Sequence, residues 1–203
     1  GDVYKRQPWG YYKWGVYYRK DLFDQLGLNV PRDWDEFKWV CAMLKKNGIT
    51  PITIGTKFLW TAGGWFDYLN LRINGYQFHM DLTAGKVSYE DPRLDAVFDH
   101  WRELIDPGYF LEDHASFSWQ DAQAPQINGE AAMYLIGNFY VPTFEAAGIG
   151  DQMDFFQFPT IYEGVGVAED APTDTMHIPA GAKNVEDAKK FLAFMSNAGA
   201  AGE

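Results

Sequence analysis

Between Tyr11 and Phe37 the chain runs YYKWGVYYRKDLFDQLGLNVPRDWDEF, and within these residues two kinds of local structure already alternate. Tyr11 to Tyr18 is dense in aromatic residues, the composition of a strand, and a two-residue period sets Tyr12, Trp14, Val16 and Tyr18 on one face. Asp21 to Leu26 predicts a short helix closed by Gly27. Asp33-Trp34-Asp35-Glu36 predicts a capping box, with Asp33 as the cap and Glu36 reaching back to it. Phe37, Val40, Cys41 and Leu44 then recur at i, i+3, i+4 and i+7, a buried helical stripe that ends at Lys45-Lys46-Asn47-Gly48.

The alternation continues outward. Ile49 to Ile54 predicts a short buried strand, Lys57 to Gly64 a loop holding Trp60, and Trp65 to Ile73 a helix closed by Asn74-Gly75. Asp91-Pro92 opens a helix with Leu94, Val97, Phe98, Trp101 and Ile105 inward, broken at Asp106-Pro107-Gly108. Ser118 to Asn128 predicts a helix with an S-x-x-D start, Ala131 to Ile136 a strand, Pro142 to Ala147 a helical turn or two, and Met153 to Phe158 a strand. Asn184 caps a last helix with Val185, Ala188, Phe191, Leu192 and Met195 inward. Strands interleaved with helices predict an α/β domain, a sheet flanked by helices. From Glu163 to Pro179 the aromatics give way to Gly, Ala, Thr, Asp and Pro, as at a domain crossing.

Composition narrows the chemistry. The 203 residues include 8 Trp, 12 Tyr and 15 Phe within 47% hydrophobic content, which is a globular chain. The 17 Lys and Arg against 28 Asp and Glu leave a net charge of −11, which repels phosphate backbones and anionic membrane surfaces, so no nucleic-acid partner is expected. Cys41, the single cysteine, falls on the core stripe and reads as structural. No zinc motif, nucleophile elbow, phosphate loop or dinucleotide turn is present, and His79, His100, His114 and His177 lack ligand spacing, so neither a metal nor a cofactor is expected. Glu112-Asp113 and Glu169-Asp170 have the makings of a glycosidase pair, or of solvated loop charges.

The aromatics outside the core stripes carry the functional signal. Trp60, Trp65, Phe66 and Asp67 form one group, and Asn138, Phe139 and Tyr140 another. Sugar rings pack their C–H faces on flat aromatic rings and need a few carboxylate, amide and guanidinium groups for their hydroxyls, a mixture that Asp67, Arg72 and Asn138 supply. The competing reading makes these rings core, with Arg72 paired to a carboxylate inside the fold.

Residues 11–37, followed by NGITPITIG, WTAGGWFDYLNLRINGYQF, INGEAAMYLIGNF and IPAGAKNVEDAKKFLAFM in that order, resemble the landmarks of the extracellular solute-binding proteins of family 1, the maltose-binding-protein-like group. The resemblance implies a type II periplasmic-binding-protein fold, a two-lobed α/β clamshell that captures a sugar or oligosaccharide and passes it to the permease subunits of an ABC importer. It implies a monomer, not an enzyme, located in the periplasm or outside the cell and either free or lipid-anchored. The alternative is a carbohydrate-active enzyme or a lectin-like module. Residues 1–7 read as an adapter scar. Residues 8–16 would be a hinge-crossing strand, 17–170 the second lobe and 171–203 the return crossing and helix of the first lobe, whose remainder lies outside this internal portion. Half of the ligand cleft would then be missing, so the isolated chain is expected to bind poorly. By the same resemblance Trp60 and Phe139 are stacking aromatics, Phe139 standing where many members carry Trp. Tyr12 and Trp14 line the crossing strand, and Trp65 and Asp67 start the helix that borders the cleft; Asn138 and Arg72 join them as ligand-binding candidates on their polar chemistry.

Overall fold

The computed structural model describes residues 6–195. Its strands are β1 (Arg6–Tyr11), β2 (Trp14–Arg19), β3 (Thr50–Ile52), β4 (Ala131–Gly137), β5 (Met153–Phe156) and β6 (Thr173–His177). Its α-helices are α1 (Lys20–Leu26), α2 (Trp34–Lys46), α3 (Trp60–Ile73), α4 (Gly75–Thr83), α5 (Asp95–Ile105), α6 (Gln123–Ile127), α7 (Val141–Ala146) and α8 (Val185–Met195). The chain divides into two compact units, residues 14–170 and residues 1–13 with 171–203.

In the smaller unit β1 pairs antiparallel with β6, from Arg6 opposite His177 to Tyr11 opposite Thr173. Arg6 and Gln7, set aside above as scar, are the first two residues of β1, while residues 1–5 lie outside those described. On α8 Leu192 is buried, but Phe191, expected inward, is exposed.

The larger unit is built on a mixed sheet in the order β3-β4-β2-β5. β3 runs parallel to β4, whereas β4 and β5 flank β2 antiparallel, with Tyr17 opposite both Tyr134 and Phe155. β2 and β4 are buried along their whole length, because both faces are covered by helices and loops. The single strand expected from Tyr11 to Tyr18 is therefore two. The backbone changes partners between Tyr12, whose amide donates to Pro172, and Trp14, whose amide donates to Asp170.

Local signals set most of the helices. Asp33 accepts from the Glu36 amide at 2.8 Å, and Glu36 reaches back one residue further than a capping box requires, to the Arg32 amide at 2.8 Å. Phe37, Val40, Cys41 and Leu44 are all buried, and burial pushes the Cys41 thiol well up. The aromatic core gathers where α2 meets α3 and the segment after β5. Tyr68 stacks on Phe158 at 5.1 Å and 25°, while Trp65 meets Phe158 and Phe110 edge-on.

Four further expectations need correction. Trp60 to Gly64 is not loop but the first turn of α3, which starts five residues earlier than its apolar pattern suggests. Asn74-Gly75 does not end the helical run: Gly75, at φ 79°, turns the chain into α4, which buries Phe78 and Leu82. The stripe of α5 is offset, with Val97 and Leu104 buried and Phe98 and Ile105 exposed. Ser118 and Asp121 do cap one another, but the α-helical residues begin only at Gln123.

Candidate functional site

Four rings converge in the larger unit. Trp14 meets Trp60 edge-on at 5.8 Å and 89°, and Trp60 lies 6.0 Å from Trp119 and 6.2 Å from Phe139. Trp119 and Phe139 close the group at 5.2 Å and 85°. Trp14 is buried at 8% exposure and forms the back of the group, whereas Trp60 is 39% exposed and Trp119 and Phe139 are partly exposed. Flat faces that remain partly wet beside a buried ring are the material of a stacking platform.

Three close approaches at glycine hold these rings. A β-carbon at Gly64 would fall 2.4 Å from Cζ3 of Trp14, so the indole lies directly on the bare flank of α3. At Gly137 a β-carbon would come within 2.2 Å of Cε1 of Phe139, so the last residue of β4 leaves the space into which that ring folds. Gly55 abuts the Ser118 carbonyl, which a β-carbon would meet at 2.1 Å, and this fixes the segment that carries Trp119. The entry to α3 is held as firmly. The Thr61 hydroxyl donates to the Gly55 carbonyl at 2.6 Å, and Leu59 adopts the left-handed conformation at φ 61°. A bulky residue in that conformation is strained, and such strain collects at binding sites. Here it sets the turn from which Trp60 projects.

Asp67 lies seven residues after Trp60 on the same side of α3. It is partly buried, and burial pushes its carboxyl up. Among the described residues no side chain or amide donates a hydrogen bond to it, so its oxygens remain available as acceptors. Asp170 is raised as well, by burial first and then by the charges of Asp67 and Glu169, with His79 opposing.

Other expected site residues fall elsewhere. Trp65 is fully buried among Phe37, Phe110 and Phe158 and is a core ring, five residues and a different helix flank away from Trp60. Arg72 is 2% exposed, donating to Phe158 at 3.1 Å, to Ala168, and to Glu169 at 2.5 Å. It is a structural clamp, as the competing reading had it. The Tyr68 hydroxyl, kept protonated by burial, reaches the Trp14 carbonyl at 2.9 Å and the other Glu169 oxygen at 3.0 Å. Glu169 is thus committed to the fold, which removes it from any glycosidase pair with Asp170. Asn138 is exposed on the turn after β4, next to Phe139. Tyr12 belongs to the smaller unit.

Trp119 was not anticipated. It sits in an irregular segment with no periodicity, and contacts from distant residues, Gly55 against Ser118 and the Tyr134 hydroxyl donating to the Trp119 carbonyl, place it beside Trp60. A cavity of about 860 Å³ opens elsewhere in the unit, lined by Ile54, Trp101, Phe110 and the Glu112-Asp113-His114 run. It holds none of the four rings, and its walls mix aliphatic side chains with Trp101, Phe110 and the charged Lys45, Glu112 and Asp113. The cluster, where several partly exposed flat rings face one another and Asp67 lies on the same side of α3 as Trp60, is taken as the candidate site.

Comparisons with known proteins bear on the family and the fold. The family of bacterial extracellular solute-binding proteins matches residues 2–202. An uncharacterized ABC transporter extracellular-binding protein of Pyrococcus horikoshii is 31% identical over 182 residues, covering 89% of this chain and 40% of that protein. The multiple sugar-binding protein of Streptococcus mutans is 27% identical over 189 residues, 91% of this chain and 45% of that protein. Among solved structures, the bacterial solute receptor AcbH, described as having an exclusive preference for β-D-galactopyranose, superposes with a TM-score of 0.85 at 36% identity, over 97% of this chain and 50% of that one. A chitin oligosaccharide binding protein has the same TM-score at 23% identity, a likeness of fold alone. The chain spans less than half the length of these two sequence relatives.

Proposed function

This chain belongs to the family of bacterial extracellular solute-binding proteins, and from that membership we propose that it forms part of a receptor that captures a sugar and delivers it to an ABC importer. Its fold is that of the type II periplasmic binding proteins. In this reading residues 17–170 are the bulk of one lobe, and the receptor works in the periplasm or at the outer cell surface. The observation that carries the proposal is the ring cluster itself: Trp60, Trp119 and Phe139 present partly exposed faces to one another, and Trp60 stands about two helical turns before Asp67 on the same side of α3. Stacking on the rings and hydroxyl donation to Asp67 are two of the interactions a pyranose offers. The likeness to a sugar-binding protein of Streptococcus mutans and to AcbH points to a pyranose ligand.

The test is thermal unfolding of the full-length receptor carrying this chain against mono- and oligosaccharides, alongside Trp60→Ala and Phe139→Ala. A ligand at about 100 times its Kd adds about 2.7 kcal/mol of stability. One sugar class should raise the melting temperature, less so in both variants, with the sugar recovered intact. Cleaved sugar would instead make the protein an enzyme, and no shift with any sugar would remove carbohydrate as the ligand class.

A further inference from the structure

Two glycines stand side by side in α3, Gly63 and Gly64. Glycine inside a helix is less favourable than alanine, because it gives up more backbone freedom on folding. Gly64 is accounted for by the Trp14 ring, just as Gly55 and Gly137 are accounted for by Ser118 and Phe139. Gly63 has no such reason. A β-carbon there meets no atom within 4 Å, the residue is exposed, and its φ lies outside the left-handed region. Its amide donates to the Leu59 carbonyl at 3.0 Å, an ordinary helical bond. Among the described residues nothing therefore asks for glycine at this position.

Its place on the helix supplies a reason. Gly63 follows Trp60 by three residues and precedes Asp67 by four, so the three lie on one side of α3 with Gly63 in the middle. A ring stacked on Trp60 with a hydroxyl at Asp67 must pass directly over position 63. We propose that Gly63 is a specificity-determining residue of the sugar site, its missing side chain letting the pyranose settle onto the helix backbone between Trp60 and Asp67. This rests on reading the ring cluster as the sugar platform. The β-carbons of every other residue type would lift the ring from Trp60 or push its hydroxyl out of reach of Asp67. The half-buried Asp67 carboxylate, with no donor among the described residues, is free to exchange water for the hydroxyl of a ligand that comes this close.

Calorimetric titration of the full-length receptor carrying this chain with D-galactose, D-glucose, D-xylose and maltose tests it, using the unmodified protein, Trp60→Ala, Gly63→Ala and Gly63→Leu. Gly63→Ala should weaken the best-bound sugar roughly tenfold or more, and Gly63→Leu should abolish binding. Without sugar, Gly63→Ala should melt higher than the unmodified protein, since alanine is the better helix former. If Trp60→Ala loses binding while Gly63→Ala keeps it within about twofold, the role of Gly63 is overturned and the sugar platform stands. If Trp60→Ala binds normally, or none of the four sugars binds the unmodified receptor, the platform reading fails and this inference falls with it. Lost binding together with a lower melting temperature in Gly63→Ala would overturn the inference by showing that glycine serves the fold.

Discussion

The indole of Trp14 rests on Gly64 with so little clearance that a single methyl group at that position would sit 2.4 Å from the ring. Strand β2 and helix α3 thus approach as closely as a helix without a side chain permits. Gly64→Ala is expected to destabilise the fold by about 1–3 kcal/mol, although alanine normally favours a helix. Denaturant unfolding measures this, and the cost should shrink when Trp14→Ala is combined with it, because the two positions share one contact.

Arg72 ties the end of α3 to the segment after β5. Replacing it by Met removes donors from two carbonyls and from Glu169, and leaves the two carbonyls without their charged partner. The expected loss is about 2–4 kcal/mol, somewhat discounted because Glu169 can turn to solvent. Glu169→Gln keeps an acceptor near Arg72 and should cost about 1 kcal/mol. Equal losses in the two variants would contradict the clamp.

Burial raises the Asp67 carboxyl above its ordinary value of 3.8. For a carboxyl raised in the folded state, ionisation costs stability. The cost is fully present above the folded pKa and vanishes as pH falls below the ordinary value. Asp67→Asn should therefore raise the melting temperature at pH 7, and the gain should disappear near pH 3. The same substitution should weaken sugar binding at pH 7, since an amide nitrogen replaces one acceptor oxygen. A variant that is less stable at pH 7 would show Asp67 to be a structural partner.

Trp119→Ala should weaken sugar binding by about 0.5–1.5 kcal/mol through loss of ring support beside Trp60 and Phe139. Because Trp119 is only partly buried, its effect on folding should be smaller than that of Trp65→Ala, for which about 3–5 kcal/mol is expected. Titration and denaturant unfolding of the two variants separate the site ring from the core ring.

Much of the larger unit can be read from its sequence because its signals are local. The stripe of α2 and the Asp33 cap involve residues three or four apart, and the structure holds each of them as the spacing requires. The misreadings have a common physical origin in tertiary approach. Phe98 and Val97 are equally apolar, and only the packing of α5 against its neighbours decides that Val97 is buried while Phe98 meets Phe66 at the surface. Trp65 and Trp60 are equally aromatic and close in sequence, yet the turn of α3 sends one to the core and leaves the other partly exposed. Trp119 carries no local signal, since its neighbours Trp60 and Phe139 arrive from segments far along the chain. The glycines that seat these rings were visible as residues but not as cradles, because what each of them faces is set by the fold.

Three indoles within about 6 Å of their neighbours, Trp14 beside Trp60 and Trp60 beside Trp119, also have an optical consequence. Chromophores this near and set at steep mutual angles share their excited states. The near-ultraviolet circular dichroism and the fluorescence of this protein should accordingly carry a contribution from the three together that Trp60→Ala removes. A molecule settling against Trp60 would alter that coupling, which makes the platform its own intrinsic reporter of occupancy.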